Sequence, residues 1–330
     1  MKKIIRDILP LRVPLLMWID PTNMCNFKCV FCPTGDDELL KKVGRPKGMM
    51  TMKTFNKIID DLKLMVKKYS QRPVQISLYK DGEPLLNKNL SEMIKIVKDA
   101  KITDCVEITT NASALTEKKS REIIEAGLDK IRFSIEHVSD EGYEKIVQKK
   151  ISFEKIVRNV QNFWKINKEY SGRVQVHTKI VNTNLSNEEE NEFLNTFKSY
   201  TNTIKVNYLH GWSNGSEKDF ALNTNPAKSA LGEKLIKKNV CSQPFTRLTI
   251  LFNGEATACC VDWAHKLVSG NVNDTSLDQI WNRNTNKLRM SHLNHEVDKK
   301  SPCYDCQYLL GYQDNEVLDG EENRLKQFYQ

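Results

Sequence analysis

The sequence has no long apolar run. No stretch approaches the roughly 20 consecutive apolar residues that a membrane-spanning helix needs. Arg6, Asp7, Pro10 and Arg12 interrupt the opening segment MKKIIRDILPLRVPLLMWID, so this segment lacks the continuous apolar region of a secretory signal. These absences predict a cytoplasmic protein without a membrane partner.

Repeats and low-complexity tracts are also absent. The net charge of +8 is not concentrated in a dense basic run with interleaved aromatic residues. We interpret the excess charge as a lysine-rich surface and expect no nucleic-acid partner. The 330 residues are enough for about two domains.

Cysteine, in contrast, is plentiful, and three of the nine cysteines lie within eight residues, at Cys25, Cys29 and Cys32. In a reducing cytoplasm, clustered thiols indicate metal binding or catalysis rather than disulfides. Zinc sites usually take four protein ligands. A loop with three thiolates and no fourth nearby better suits a [4Fe–4S] cluster whose fourth iron stays open to a substrate or cofactor.

Strand-like and helix-like segments alternate over residues 14–210. The expected strands are Leu15–Asp20, Val74–Tyr79, Val106–Asn111, Lys130–Glu136, Val174–Val181 and Ile204–Leu209. Helical patterns lie near 52–68, 88–101, 116–126, 140–168 and 187–199, with a helix start at Ser152 inside the fourth. Six βα units predict an α/β fold in which a parallel sheet curls into a partial (β/α)6 barrel. The cysteine loop follows the first strand, at the functional end of such a barrel.

Alternation within the strands predicts a polar interior. Ile131, Phe133 and Ile135 share one face of their strand. The other face of this strand and of three more is polar: Arg132, Ser134 and Glu136; Glu107, Thr109 and Asn111; Gln75, Ser77 and Tyr79; Gln175, His177 and Lys179. A closed eight-stranded barrel fills its interior with bulky side chains, so these faces favour an open barrel that holds a polar ligand. The alternative is the solvated face of an ordinary sheet.

The last third of the chain predicts a second, smaller domain. Residues 211–237 are rich in Gly, Asn and Ser and indicate a linker. Asn253-Gly254 between two strand-like runs predicts a hairpin, and a helix is expected near 276–293. The predicted organisation is an N-terminal extension at 1–13, the barrel at 14–210, the linker, and a small α+β cluster-binding domain at 238–330.

These motifs resemble those of the radical S-adenosylmethionine (radical SAM) superfamily. The C-x3-C-x2-C loop has an aromatic residue, Phe31, before its last cysteine, as in the family signature. KDGEPLL at 80–86 is similar to the Gly-Gly-Glu segment that holds the SAM amino group, with Asp81 in place of the first glycine. The resemblance implies a [4Fe–4S] cluster on Cys25, Cys29 and Cys32 together with SAM. It also implies SAM contacts from Phe31, Asp81, Gly82, Glu83, Asn111 and Ser134.

The resemblance also implies a chemistry. In the family, the open iron chelates SAM, and an electron from the reduced cluster cleaves SAM to a 5′-deoxyadenosyl radical. That radical then abstracts hydrogen from the substrate. The electron would come from a low-potential donor such as a flavodoxin or a ferredoxin.

A second set of cysteines, Cys241, Cys259, Cys303 and Cys306, resembles the SPASM extension of many radical SAM enzymes. The match is C-x12-G-x4-C, then GNVNDTSLDQIW at 270–281, then C-x2-C. Further SPASM cysteines would fall at Tyr312 and Glu316, so the set resembles the shortened twitch form with one auxiliary [4Fe–4S] cluster. Spacing alone is equally compatible with a structural zinc ribbon. Cys260 either packs beside the site or donates a hydrogen atom to a substrate radical.

The resemblance to twitch dehydrogenases implies oxidation of a carbinol, with the auxiliary cluster accepting the substrate electron. That reaction needs a base, and the candidates are His177, Lys179, Glu136, Arg132 and His210. Many peptide-modifying SPASM enzymes carry an N-terminal domain that recognises a leader peptide, and the 24 residues before Cys25 are too few to form one. A small polar substrate such as a sugar, an aminocyclitol or a nucleotide-linked sugar is therefore favoured over a peptide. The alternatives are a peptide- or protein-modifying enzyme of the maturase type, an epimerase, and a non-catalytic metal-binding protein.

Overall fold

The described strands form one continuous sheet. The computed structural model describes residues 4–213, 218–222, 238–304, 306, 309 and 314–330. Its strands are β1 (Leu16–Ile19), β2 (Gln75–Ser77), β3 (Val106–Thr110), β4 (Lys130–Ile135), β5 (Gln175–Asn182), β6 (Thr203–Tyr208), β7 (Arg247–Ile250), β8 (Glu255–Thr257) and β9 (Val268–Asn271). Their order is β6-β5-β4-β3-β2-β1-β7-β8-β9. The six predicted strands are confirmed, with ends that differ by up to two residues.

Helices precede, connect and follow the strands. They are α1 (Ile5–Ile8), α2 (Asp37–Lys42), α3 (Met52–Tyr69), α4 (Leu90–Ala100), α5 (Glu117–Glu125), α6 (Asp140–Val147), α7 (Phe153–Glu169), α8 (Asn187–Phe197), α9 (Gln243–Thr246), α10 (Leu277–Gln279), α11 (Asn286–Leu293) and α12 (Glu322–Tyr329). Ser152 caps α7 by accepting from Lys155 N, as its sequence position predicts. Gln148, with a left-handed backbone, ends α6, so the predicted segment 140–168 is two helices.

The core lies between the helices and one face of the sheet. Ile131, Phe133 and Ile135 of β4 are fully buried in it, which confirms the predicted apolar face. Burying such side chains stabilises the fold by about 1.5–3 kcal/mol each. The opposite face of β4 is therefore left to polar groups, as the alternation requires.

The sheet does not close into a barrel, because β6 and β9 are its two edges. Strands β6 to β1 and β7 are parallel, and β1 pairs with β7 over four residues. The predicted hairpin is confirmed as β7 and β8, which pair antiparallel. It continues the sheet of the partial barrel, so the C-terminal region is joined to the barrel through β1. Much of the predicted linker at 211–237 lies outside the described residues. No helix in the described ranges is long and apolar enough to cross a membrane.

Candidate active site

The three-cysteine loop starts just after β1, at the carboxyl ends of the parallel strands. Two backbone bonds anchor it to α6: Lys28 N donates to Val147 O (3.0 Å) and Val30 N donates to Ile146 O (3.0 Å). Cys25, Cys29 and Cys32 are half-buried. Burial raises the pKa of all three thiols, that of Cys25 to about 12. A bound metal reverses this preference, because a coordinating thiol is deprotonated.

Gly82 lies directly beneath this loop. A Cβ atom at position 82 would be 2.3 Å from the carbonyl oxygen of Thr22 and 2.5 Å from that of Met24. Real Cβ contacts do not approach so closely, so only glycine allows the end of β2 to touch the loop. The next residue, Glu83, donates its backbone N–H to Met24 O at 3.0 Å. The segment predicted to bind SAM is therefore held against the cysteine loop.

The buried carboxylate of Glu83 joins the ends of β2 and β3. Its Oε1 accepts from Thr110 Oγ1 (2.7 Å) and from Leu85 N (3.0 Å). Its Oε2 accepts from Asn111 N at 2.8 Å. Each carboxylate oxygen has two lone pairs, so Oε2 retains acceptor capacity for an ammonium group.

Asn26, inside the cysteine loop, is a further residue of the site that the sequence motifs did not indicate. Its Oδ1 accepts from Asn111 Nδ2 (3.0 Å), and its Nδ2 donates to Ser113 Oγ (2.7 Å). The loop is thereby fixed to the end of β3 beside Asn111. The only sequence feature that could have indicated Asn26 as a site residue is its position between Cys25 and Cys29.

Glu136, at the end of β4, provides an unmet acceptor. Its side chain is buried, and its Oε2 has no hydrogen-bond partner among the described residues. Burial raises the pKa of Glu136, while Lys179 and the Ser134 hydroxyl lower it. The negative charge of Glu136 also contributes to the raised pKa of the Cys25 and Cys29 thiols. A buried acceptor without a donor costs roughly 1–3 kcal/mol, so the site suits a ligand with ammonium or hydroxyl donors, as SAM has.

The carboxylate of Asp81 faces three cationic or basic side chains. Its Oδ2 lies 2.8 Å from Arg45 Nη2 and 3.0 Å from His265 Nε2, and its Oδ1 lies 2.7 Å from Lys80 Nζ. Lys80 and Arg45 hold the pKa of Asp81 well below its usual value, against the effect of burial. Arg45 also donates to Trp263 O at 2.6 Å. Asp81 therefore connects the strand end that carries Gly82 to the C-terminal region.

A polar cleft of about 330 Å³ opens on the polar face of the sheet. It is lined by Arg132, His177, Thr178, Lys179, Thr203, Lys205 and Asn207. Three of the candidate bases, His177, Lys179 and Arg132, belong to this lining. Glu136, His210 and Cys260 are not part of it. Burial, with Lys130 and Arg132 nearby, lowers the pKa of His177.

The structure brings the four C-terminal cysteines to one cavity. Cys241, Cys259, Cys303 and Cys306 line one cavity, with His292 of α11 among the other residues of its wall. Within the described residues, no three histidine, cysteine or carboxylate side chains are arranged to hold a single metal ion. Burial raises the pKa of Cys241, Cys259 and Cys303. Cys260 is outside the cavity wall and donates to Gln243 Oε1 at 3.5 Å.

Trp212 connects the two cysteine sites. Its Nε1 donates to the backbone oxygen of Phe31, which precedes Cys32, at 2.9 Å. Its ring packs against the cluster formed by Cys259, Val261 and Cys306. One side chain thus contacts both the loop after β1 and the C-terminal cavity.

A three-thiolate loop over a Gly-Glu strand end, beside an open α/β sheet, defines a class of iron–sulfur enzymes that use SAM. The chain belongs to the radical SAM superfamily, whose sequence model matches residues 19–199. Residues 241–307 match SPASM, an iron–sulfur cluster-binding domain. The protein is therefore a radical SAM enzyme that uses a [4Fe–4S] cluster with SAM and carries an auxiliary iron–sulfur site.

Individual relatives share parts of this architecture. A probable GTP 3′,8-cyclase of Methanococcus maripaludis (strain C5) is 33% identical over 125 residues, which are 38% of this chain and 37% of that protein. The chain thus aligns with a little over a third of that relative. Streptococcus suis SuiB, solved with its precursor peptide SuiA, is 14% identical with a TM-score of 0.65 and coverage of 96% and 74%. BtrN, solved with AdoMet and 2-DOIA, is 18% identical with a TM-score of 0.53 and coverage of 88% and 92%. At these identities the structures show the fold alone.

Proposed function

We propose that the enzyme is an oxidoreductase that removes two electrons from a small polar substrate, such as a sugar or an aminocyclitol. The observation that most directly supports this proposal is the cleft of about 330 Å³ between β4, β5 and β6, which has no apolar residue in its lining. That volume lies at the lower end of the range for small-molecule sites. GTP in the name of one relative and 2-DOIA in the BtrN crystal are also small molecules rather than proteins.

The chain's residues divide between holding the cofactor and handling the substrate. Cys25, Cys29 and Cys32 would hold the cluster, and Gly82, Glu83, Asn111, Ser134 and Glu136 would surround SAM, with Phe31 in the loop. When bound, this pair supplies a radical that abstracts a hydrogen atom from the substrate. Glu83 and Glu136 contribute carboxylate acceptors to the ammonium and ribose groups, because both are buried and Glu136 has an unmet oxygen. Asp81 precedes Gly82 in the chain, and its ion pairs hold Gly82 in place beside the SAM site.

His177 is the proposed base that takes the carbinol proton. Its lowered pKa keeps the imidazole neutral at pH 7, so one ring nitrogen can accept a proton. Its Nδ1 contacts the Thr203 hydroxyl, which fixes the ring in the wall of the cleft. Lys179 is less suited, because it accepts a proton only in its uncharged form.

Cys241, Cys259, Cys303 and Cys306 would hold one auxiliary [4Fe–4S] cluster, which would supply a one-electron acceptor. Four thiolates leave no iron open, so this site serves electron transfer rather than SAM binding.

The proposal is tested with reconstituted enzyme, SAM, dithionite and a panel of carbon-deuterated sugars and aminocyclitols. We expect deuterium in 5′-deoxyadenosine and a product two mass units below the unlabelled substrate, detected by mass spectrometry. A product that gains solvent hydrogen without oxidation would instead identify an epimerase. In that case Cys260→Ala would stop turnover and leave SAM cleavage intact.

A peptide substrate is the second candidate. The fold similarity to SuiB, which was solved with a precursor peptide, covers 96% of this chain. Turnover of a peptide panel, with no reaction of the sugar panel, would replace the small-molecule proposal.

A further inference from the structure

The cleft between β4, β5 and β6 carries more positive than negative charge. Arg132, Lys179 and Lys205 line it. The charged groups that face them are Lys130, Glu107 and Glu136. Glu107 already forms two ion pairs, because its Oε2 lies 2.7 Å from Lys130 Nζ and 3.1 Å from Arg132 Nη2. Even with Glu136 ionised, four cations face two carboxylates, so about two positive charges lack a partner.

Lys130 and Arg132 both pair with Glu107, which leaves Lys179 and Lys205 as the cations without an ion pair among the described residues. Lys179 and Lys205 are direct register partners on the adjacent strands β5 and β6. Among the described residues, neither ammonium group has a carboxylate within ion-pair distance. Like charges placed directly opposite each other destabilise a sheet. Burial and Arg132 also lower the pKa of Lys179, against the effect of Glu136 and Glu107.

Unfavourable repulsion between neighbouring side chains, as between these two lysines, is expected where a bound ligand completes the site. Surplus charge of two matches a phosphoryl group, which carries about −1.5 to −2 at pH 7 and three strong acceptor oxygens. Thr203 and Asn207 add neutral donors to the same lining. An amine-bearing substrate would bring a third unmatched positive charge, so the cleft disfavours a free aminocyclitol.

We propose that this cleft binds a phosphoryl group of the substrate, which makes the substrate a phosphorylated sugar or polyol rather than a free one. This inference rests on the proposed function and narrows its substrate class. Lys179 and Lys205 hold the phosphoryl oxygens, and Arg132 closes the site from β4. His177, in the same wall, then faces the sugar carbons next to the phosphoryl group.

The test is calorimetric titration of the reconstituted, SAM-loaded enzyme with inorganic pyrophosphate at low salt. Lys179→Gln and Lys205→Gln should each weaken binding at least about tenfold, the size of a lost charged hydrogen bond. Lys165→Gln is the matched control, because it removes the same charge from an exposed position of α7. We expect that control to bind as the wild type does. The affinity for SAM should be unchanged in Lys205→Gln.

Three results would overturn the inference: no binding of pyrophosphate, equal weakening by Lys165→Gln, or a parallel loss of SAM affinity in both cleft variants. The last would assign the lysines to the SAM carboxylate. Reductive SAM cleavage without substrate is measured on the same samples. Its absence would count against the proposed function itself, independently of the pyrophosphate result.

A separate observation concerns His292 in the C-terminal cavity. The residue is 1% exposed, and neither ring nitrogen has a hydrogen-bond partner among the described residues. It lines the cavity together with Cys241, Cys259, Cys303 and Cys306. Burying an imidazole without partners is costly, so its presence among four thiols calls for an acceptor inside the cavity.

We infer that a ring N–H of His292 donates a hydrogen bond to a sulfur of the auxiliary cluster and thereby raises its reduction potential. Hydrogen bonds to the sulfurs are among the factors that set cluster potentials. His292 is therefore a positioning and tuning residue, and the four cysteines remain the ligands.

The test is an EPR-monitored potentiometric titration of the auxiliary cluster in a Cys25/Cys29/Cys32→Ala background. His292→Phe should make the midpoint potential more negative at unchanged iron content, and His292→Gln, which keeps a donor, should recover part of the shift. His295→Phe, at an exposed histidine three residues on, is the matched control and should leave the potential unchanged. An unchanged potential in His292→Phe, or loss of iron in both His292 variants, would overturn the inference.

Discussion

At the scale of single residues, Gly82 shows how a motif position acts through space. It is conspicuous in the sequence only as part of a Gly-Glu pair, but in the structure it is the point where the segment after β2 touches the cysteine loop. The constraint comes from two backbone carbonyls, those of Thr22 and Met24, which cannot move independently of the loop.

Gly82→Ala should therefore weaken SAM binding by at least about tenfold, because the added Cβ pushes the loop away from the strand end. Affinity is measured by calorimetry on reconstituted enzyme. Gly44→Ala is the control, since a Cβ there meets nothing within 4 Å and its positive φ of 72° affects only the local backbone. Equal SAM affinity in Gly82→Ala and wild type would contradict the close contact.

The proposed role of His177 as the base predicts a pH dependence with a definite sign. Its pKa is lowered from the usual 6.5, so the imidazole becomes protonated, and is lost as a base, only below that value. Substrate oxidation at saturating SAM should be flat from pH 8 to about 6.5 and fall at lower pH. His177→Gln should lower the rate and remove this limb. An acidic limb that persists in His177→Gln would assign the titration to another group.

The residues predicted from local motifs and those missed differ in a physical way. Cys25, Gly82 and Glu83 could be proposed because their roles depend on short spacings along the chain. Arg45 and His265 could not, because their partner Asp81 lies 36 and 184 residues away in sequence. His292 could not, because only the folded chain brings it to the cavity of the four C-terminal cysteines. Asn26 lies between the two: it stands in the motif, but its partner Asn111 is 85 residues away.

At the scale of elements, the segment after α2 joins the barrel to the C-terminal region. Arg45 reaches from this segment to Asp81 on one side and to the backbone of Trp263 on the other. The side chains of Arg45 and Asp81 are each 1% exposed. A buried ion pair of this kind is strongly destabilising when one partner is removed, since the other charge stays buried.

Arg45→Met should lower the free energy of unfolding by about 3 kcal/mol and lower the melting temperature in a thermal scan. Lys95→Met, which breaks an exposed ion pair with Asp99, should change stability little, because surface pairs contribute little. Similar melting temperatures for Arg45→Met and Lys95→Met would contradict a structural role for the buried pair.

Most elements could be predicted because their signals are local. The helices α3, α5, α7 and α8 begin next to Thr51, Thr116, Ser152 and Ser186, each of which caps its helix. The Asn-Gly turn likewise predicted the β7–β8 hairpin. The pairing of β7 with β1 could not be predicted, because about 230 residues separate the register partners Leu16 and Arg247.

At the scale of the whole molecule, one sheet carries two cysteine sites. The loop after β1 carries the first cysteine site. The β7–β8 hairpin, whose strand β7 pairs with β1, leads to Cys259 of the second cysteine site. Trp212 touches both. The SAM-binding loop and the auxiliary cysteine site are thus joined through the β1–β7 pairing and through Trp212.

We propose that the chain holds two independent iron–sulfur sites, of which only the first cleaves SAM. The most direct measurement is iron and sulfide per chain, with 5′-deoxyadenosine formation, in anaerobically reconstituted wild type, Cys25/Cys29/Cys32→Ala and Cys303/Cys306→Ala. We expect about eight irons in the wild type, four per cluster, and about four in each variant. Only the first variant should lose SAM cleavage. About four irons and one zinc in the wild type, or loss of SAM cleavage in both variants at full occupancy of the remaining cluster, would contradict the account.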